Sequence, residues 1–530
     1  MAIDKTVVTS TSSVAEQLKK RLAALSKSKL DECQQQLSNS GIKIANSILS
    51  ANELAQGKPS PISDLNEWPN SDGWFPVFNS QALYLSKKQY INHESVAFMI
   101  EFPDELEIPI LKRAVNKMVS EHDAFRLYFK EASDVNDQSK SKWLQKLTDQ
   151  DISENVVLDY DFSGYHSDEF VSVSEQTADD LIVGLTIYEP FLFRVAQFRH
   201  NTHSSSRLAL ICHHLISDGV SAHLMLSRLI ELYTCYSEDE NRSSTKEIVS
   251  SLEVSNWLAR RAKDTNLALK LKHWLGHSDW QNYNVNLSKQ FVSILSSFSA
   301  DEVKEIRRGY NVKKYLLRFS SETTQSYLGK MSNKFHLGAY DSLILTSLYA
   351  LSQKIGSGFL PSWIITDSRV VSGLDLSNFI GFIANYTVAG IYLDGNKSFE
   401  NWIEAASKQL HDATENANEF GVIYNNQYKC SILTDEQNSH IRNIVNPEVQ
   451  FNYYGTSTSN NDDTGISTHR VKTEASNKNI EFWSLYFSFL ITNNELEVAV
   501  SYNDKIYTKT FIDELCSEFS KQLSVDVINA

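Results

Sequence analysis

Apolar residues recur at three- and four-residue intervals in LEIPILKRAVNKMVSEHDAF (106–125), so Leu111, Ala114, Val115, Met118 and Val119 share one helical face. VSAHLMLSRLIELY (220–233) reads as a second helix, with Leu224, Leu226, Leu229, Ile230 and Tyr233 turned inward. Strand patterns lie between them. RLYFKEA and VVLDYDF flank the polar loop 133–142. FLFRVAQFR (191–199) and RLALICHHL (207–215), separated by HNTHSSS, read as a hairpin.

The second half repeats this style. SSETTQSYLGKMSNKF (320–335) and AYDSLILTSLYALSQKIG (339–356) have helical spacing. WIITDS, NYTVAGIYL, EVQFNYYG, FWSLYFSFLIT and LEVAVSYN read as strands, and a helix closes the chain at 507–523. The order predicts two α/β halves: a lobe over 75–255, a crossover over 256–285 and a lobe over 286–530. Residues 1–74 differ. A helical pattern at 13–37, with Leu18, Leu22, Leu25 and Leu30 as its apolar positions, leads into a Ser-, Asn- and Pro-rich linker.

At 530 residues, 42% of them hydrophobic and 11% aromatic, the chain has enough apolar material for two cores. Its formal net charge of -15 argues against nucleic acid as a partner, because phosphate binding needs a basic face. The five cysteines are scattered without a C-x-x-C pair, which fits a reducing compartment. No signal-like or membrane-spanning apolar run is present, so the expectation is a cytoplasmic monomer with no membrane partner.

The stretch with most chemical content is RLALICHHLISDGVSAHL, where His213 and His214 end a strand and Asp218-Gly219 leads into a helix. On a regular strand, alternation sends His214 to one face with Cys212 and His213 to the other. Gly219 would supply a positive-φ turn. Four readings are open. The histidines are a hydrogen-bonded structural pair; they bind a metal with Asp218; Cys212 is a nucleophile; or one imidazole is a general base. No further His or Glu is spaced to complete a metal shell, and Cys212 sits mid-strand without an electropositive setting.

His213-His214-Leu-Ile-Ser-Asp218-Gly219 resembles the HHxxxDG motif of the condensation domains of nonribosomal peptide synthetases. Other segments match in the family's order. FNSQALYL, with Ser80 and Gln81, resembles the opening S-x-x-Q motif. EHDAFRLYF, with His122 and Arg126, is similar to RHExLRTxF, and PFLFRV to the P-L-F-R strand. SNFIGFIANY, with Gly381 and Asn385, resembles IGxFVN, and FNYYG, with Asn452, the later F-N-Y motif.

The resemblance implies an α/β fold of two chloramphenicol-acetyltransferase-like lobes, a V-shaped pseudo-dimer with a central tunnel. Donor and acceptor would be acyl or peptidyl groups on the phosphopantetheine arms of carrier proteins, a small-molecule acceptor being possible, and the protein itself would bind no cofactor or metal. By carry-over His214 is catalytic, while His213, Gly219 and an Asp218–Arg369 pair hold the site. Ser80, Gln81, Arg126, Asn385 and Asn452 are tunnel candidates. The product would be an amide or an ester.

The chain departs from the family where VAGIYLD lacks the usual arginine and where Ala384 replaces the usual valine. Epimerisation is disfavoured because no EGHGRE-like segment is present, and cyclisation because His213 is not Asp. Two alternatives stand beside transfer between carriers. One is an acyltransferase of the same superfamily using coenzyme A thioesters; the other is a catalytically silent platform that recruits carriers.

Overall fold

The computed structural model describes residues 72–523 except 88–90, 103–104, 134–140, 153, 202–205, 239–247, 277–279, 281–297, 370–373, 426–427, 429, 445–446, 458–466 and 471–478. The expected helix at 13–37 and the linker to residue 71 lie outside them. The described residues within 67–369 and 376–530 form one compact unit, which carries every element below.

Fourteen strands among the described residues make three sheets. A five-stranded sheet has the order β12-β2-β7-β6-β5, from β2 (Ser95–Phe102), β5 (Val157–Asp161), β6 (Phe193–Arg199), β7 (Ser206–His213) and β12 (Ser467–Arg470). A six-stranded sheet has the order β10-β9-β11-β13-β14-β8. Its strands are β8 (Val312–Phe319), β9 (Gly358–Asp367), β10 (Ala384–Leu393), β11 (Val449–Ser457), β13 (Leu485–Thr492) and β14 (Glu495–Asn503). The smallest sheet pairs β1 (Phe75–Pro76), β4 (Ser141–Leu147) and β3 (Leu127–Ser133). The five-stranded sheet draws four strands from the first half of the chain. Its edge strand, β12, comes from the second half and runs antiparallel to β2, with Arg470 opposite Phe98.

The longer helices of the first half are α1 (Asn79–Lys87), α2 (Ile108–Glu121), α3 (Phe170–Val183), α4 (Gly219–Ser237) and α5 (Ser251–Arg261). Those of the second half are α6 (Ser321–Phe335), α7 (Ala339–Ile355), α8 (Phe399–Glu415), α9 (Ala417–Tyr424), α10 (Asp435–Arg442) and α11 (Lys509–Leu523).

β7 is central, flanked by β2 and β6, and all eight of its residues are buried. That explains its unbroken apolar run: a strand covered on both faces has no polar alternation to show. On one face α3 packs Phe170, Ala178 and Ile182 over Met99, Phe198, Ala209 and Ile211. The expected inward face of α4 is rotated. Ala222, Met225, Leu229 and Leu232 are fully buried at the 3.6-residue period, while Leu224, Leu226, Ile230 and Tyr233 lie half-buried at its flanks. α2 runs along α4, and Arg228 grips both carboxylate oxygens of Glu121 at 2.9 and 2.7 Å.

His122 ends α2, its backbone N–H bonded to the Met118 carbonyl. The ring is buried, and its Nδ1 has no hydrogen-bond partner among the described residues. Burial lowers its pKa to about 4, against the pull of Glu121. The unfolded chain therefore takes up a proton between pH 6.5 and about 4 that the folded chain refuses. Stability is full above that window and falls as the pH drops through it. Denaturant titrations should show a loss of roughly 3 kcal/mol across the window, and a His122→Leu variant should flatten that slope.

Candidate active site

β7 stops at His213, not beyond it. His214 opens a single 3-10 turn, His214–Ile216, so the two rings diverge at a strand end and not through alternation along a continuing strand. His213 is fully buried. Its Nδ1 accepts from the Leu215 N–H at 3.1 Å, and its Nε2 lies 2.8 Å from the Ile91 carbonyl. A backbone N–H can only donate and a carbonyl only accept, so the ring is the neutral Nε2–H tautomer, held at both ends.

His214 is half-buried. Its backbone N–H donates to the Glu94 carbonyl at 2.7 Å. Its ring lies 5.0 Å from that of Tyr84 on α1 and 4.5 Å from that of Phe382, which precedes β10. Elements distant in sequence therefore meet at this imidazole.

Asp218 is the N-cap of α4, with Oδ1 accepting from Ser221 N–H at 2.8 Å. The cap makes the turn, and Gly219 is simply the first helical residue. It is not among the positive-φ glycines, so the expected left-handed turn is absent. A Cβ there would make only an ordinary 3.9 Å contact with Tyr454.

Asp218 also faces Arg369, just past the end of β9. The guanidinium reaches Oδ1 and Oδ2, each at 3.0 Å, and donates to Ser221 Oγ and to the carbonyls of Phe379 and Gly381. The N–H groups of Ile383 and Ala384 complete the carboxylate's partners at 3.2 and 3.1 Å. Burial alone would raise the Asp218 pKa. The Arg369 charge and these hydrogen bonds outweigh it and hold the carboxyl below the usual range.

The tunnel candidates separate. Gln81 is fully buried and braces the site, accepting from Phe78 N–H and donating to the Leu215 carbonyl at 2.8 Å. Ser80 donates to the Phe382 carbonyl. With Asn385 it lines a cavity of about 10 Å³, room for about one water. Asn385 donates to Asn418 Oδ1 at 3.0 Å. Arg126 is drawn onto Asp123 at 2.7 Å, whose other oxygen accepts from the N-terminal N–H of α5. Asn452 donates to the Tyr486 hydroxyl at 3.2 Å, and Tyr454 bonds the same hydroxyl at 3.1 Å.

Motif reading missed Tyr84, Tyr386 and Glu94. Tyr386 donates to or accepts from Tyr84 at 3.1 Å, hydroxyl to hydroxyl. The Tyr84 phenol is pushed well up, first by burial and then by Glu94, with Glu481 adding in the same direction. No residue pattern marks such a group, because its members come from four separate segments. Burial pushes the Cys212 thiol up, away from the thiolate form a nucleophile needs.

Comparison with known proteins places this geometry. The chain matches the Condensation domain family over residues 74–526.

The chain belongs to the condensation-domain family.

It is 22% identical to bacitracin synthase 3 of Bacillus licheniformis, over 82% of this chain and 6% of that protein. It is 21% identical to gramicidin S synthase 1 of Brevibacillus brevis, over 82% of this chain and 38% of that protein. Against tyrocidine synthase 1 of Brevibacillus parabrevis the values are 20%, 82% and 38%. The chain thus spans well under half the length of these relatives.

Among solved structures, the epimerization domain of the third module of tyrocidine synthetase B superposes with a TM-score of 0.69 at 16% identity, covering 86% of this chain and 96% of that one. The condensation domain of the monacolin K polyketide synthase MokA gives 0.62 at 11%, covering 86% and 98%. SgcC5 from Streptomyces globisporus gives 0.59 at 12%, covering 86% and 99%. These likenesses show the chloramphenicol-acetyltransferase-like fold. The family's condensation domains are transferases that form peptide bonds between groups carried on phosphopantetheine, and the epimerization domain shows that the fold also serves other chemistry.

Removing one side of a buried ion pair leaves an uncompensated charge, a larger penalty than the pair's own net worth. Arg369→Met should lower unfolding stability by about 3–5 kcal/mol, seen as a shifted denaturant midpoint. The double variant Asp218→Asn/Arg369→Met should lose less than the sum of the two single changes.

Proposed function

We propose that this condensation domain transfers an acyl or peptidyl group from a carrier-bound thioester to an acceptor, with His214 as the group that takes the acceptor's proton. The observation that carries this reading is the placement of the imidazole. It is tied through its own backbone to the residue before β2 and flanked by aromatic rings from α1 and from the segment before β10. A base held this way loses little rotational freedom when the acceptor arrives, and general-base assistance contributes about 10²–10⁴-fold. His213, Asp218 and Arg369 act as supports: each is engaged by backbone groups or by its partner.

The acceptor's proton passes to His214, and its nitrogen or oxygen attacks the thioester carbonyl. The carbon–sulfur bond breaks, and the arm leaves as a thiol. Both carrier arms must reach the imidazole, and we place the phosphate end of one of them in the cavity beside α1. A mostly polar cavity of about 500 Å³ opens beside α1, lined by Ala82, Leu85, Lys87, Trp143, Tyr424 and Arg442 among others. Burial lowers the pKa of both Lys87 and Arg442, so a phosphate entering this cavity would offset part of the loss of their hydration, against the Glu131 carboxylate in the same lining. A silent platform would need none of the Asp218–Arg369 framework, and this favours turnover.

Two experiments test the reading by mass spectrometry of loaded carriers. His214→Ala should cut transfer by about 10²-fold or more while leaving the fold intact; full product formation by that variant would overturn the catalytic assignment. Arg442→Ala should raise KM for the phosphopantetheinyl carrier by about tenfold, and much less for a pantetheine thioester without phosphate. Equal use of coenzyme A thioesters and carriers would instead favour the coenzyme A reading.

A further inference from the structure

The cavity of about 10 Å³ at the start of α1 has polar side chains in its lining beside apolar ones, Val254, Leu258 and Ile383 among them. Asn79, the first residue of α1, and Asn385, the second of β10, both line it. They are 5% and 2% exposed, and among the described residues the Oδ1 of each has no hydrogen-bond partner. Their NH2 groups are engaged. Asn79 donates to the Asn418 carbonyl at 3.4 Å and Asn385 to Asn418 Oδ1 at 3.0 Å, where Ser368 Oγ also donates at 3.0 Å. Turning either amide over would set its oxygen against an oxygen of Asn418, so the two Oδ1 atoms are the ones left with no protein donor. Gly421 of α9 gives this group its room. A Cβ there would lie 2.8 Å from both Asn385 Oδ1 and Asn79 Nδ2, closer than side chains pack. Inside a helix glycine is less favourable than alanine, and here the two amides require it.

A buried amide oxygen without a donor is costly, and two of them at one cavity call for a ligand that offers two protons or a positive charge. The space is that of a single water. A hard cation gathers about six or more oxygens, and two unengaged amide oxygens in a mostly apolar lining supply too few. We propose that this cavity is a binding site for one water molecule, which donates one O–H to Asn79 Oδ1 and the other to Asn385 Oδ1. The water is a fixed part of the protein and bridges α1 to β10.

The bridge lies behind the imidazole. α1 holds the Leu215 carbonyl through Gln81 and sets the Tyr84 ring against His214. β10 follows Phe382, whose ring also meets His214, and begins with the Ala384 N–H that donates to Asp218. Ser80 already ties the two segments by donating to the Phe382 carbonyl. The water adds a second tie one residue earlier in α1, and lets the first turn of that helix seat on β10 with both amide oxygens answered. The site stands whether or not the protein transfers acyl groups, because none of its atoms takes part in that reaction.

A crystal structure of the full chain tests the site directly. One density peak is expected at about 2.7–3.0 Å from each Oδ1, with no anomalous signal at that point after the crystal is moved into thallium acetate. An empty cavity, an amide turned over so that its nitrogen meets the other's oxygen, or a thallium peak there overturns the proposal, the last assigning the site to a monovalent cation. Oxygen-17 relaxation dispersion makes the same test in solution, because it counts the waters held for long inside a protein. Asn79→Leu removes one acceptor and fills the space, so it should lower that count by about one. An unchanged count in the folded variant overturns the proposal, and the wild-type density decides where that variant does not fold.

Discussion

One buried ion pair joins the parts of this protein that chemistry needs together. Asp218 receives the N-terminal amide of α4, two amides from the start of β10 and both forks of Arg369, while Arg369 also ties down the carbonyls of Phe379 and Gly381. A carboxylate at that depth is unfavourable until every lone pair is answered, and here each answering group comes from a segment that must lie at the site. Ser221 closes the knot: it donates to the Gly381 carbonyl and accepts from the Gly381 amide. The pair's contribution is therefore less to net stability than to registering the α4 turn against the 379–384 segment.

That registration sets the environment of His214. Phe382 lies inside the tied segment, so the same bonds that satisfy Asp218 bring its ring against the imidazole. Gln81 performs the matching task from α1, holding the Leu215 carbonyl and thereby the turn on which His214 sits. Tyr84, one helical turn further along α1, then meets the ring from the other side. Ser80 and Gln81 thus each hold a backbone carbonyl of a segment at the site, those of Phe382 and Leu215.

The two histidines meet different surroundings for a simple geometric reason. Where β7 ends, the chain bends into a 3-10 turn. The residue before the bend keeps its side chain in the core, and the residue after it is turned toward the meeting of α1 and β10. His213 is fixed by two backbone groups into one tautomer. Around His214, Tyr84 meets the ring and bonds the Tyr386 hydroxyl, and burial with the Glu94 charge pushes the Tyr84 phenol up.

Much of this was legible along the chain, because periodicity reports burial directly. The repeat of α2, the unbroken apolar run of β7 and the order of strands in the second half each follow from which faces must leave water. The HHxxxDG stretch was legible as well, since it is carried by residue types at short spacing, whereas Arg369, far along the chain from Asp218, was reached only through the family resemblance. What could not be read were contacts between residues hundreds of positions apart. β12 joins the sheet of the first half, and Asn479 donates to the Glu94 carboxylate. α4 presents a rotated face, burying Ala222, Met225, Leu229 and Leu232 where it runs along α2. Local sequence sets what each segment prefers. The positions of charges relative to one imidazole arise only once distant segments pack, because each buried polar group must then find its partner wherever the fold supplies one.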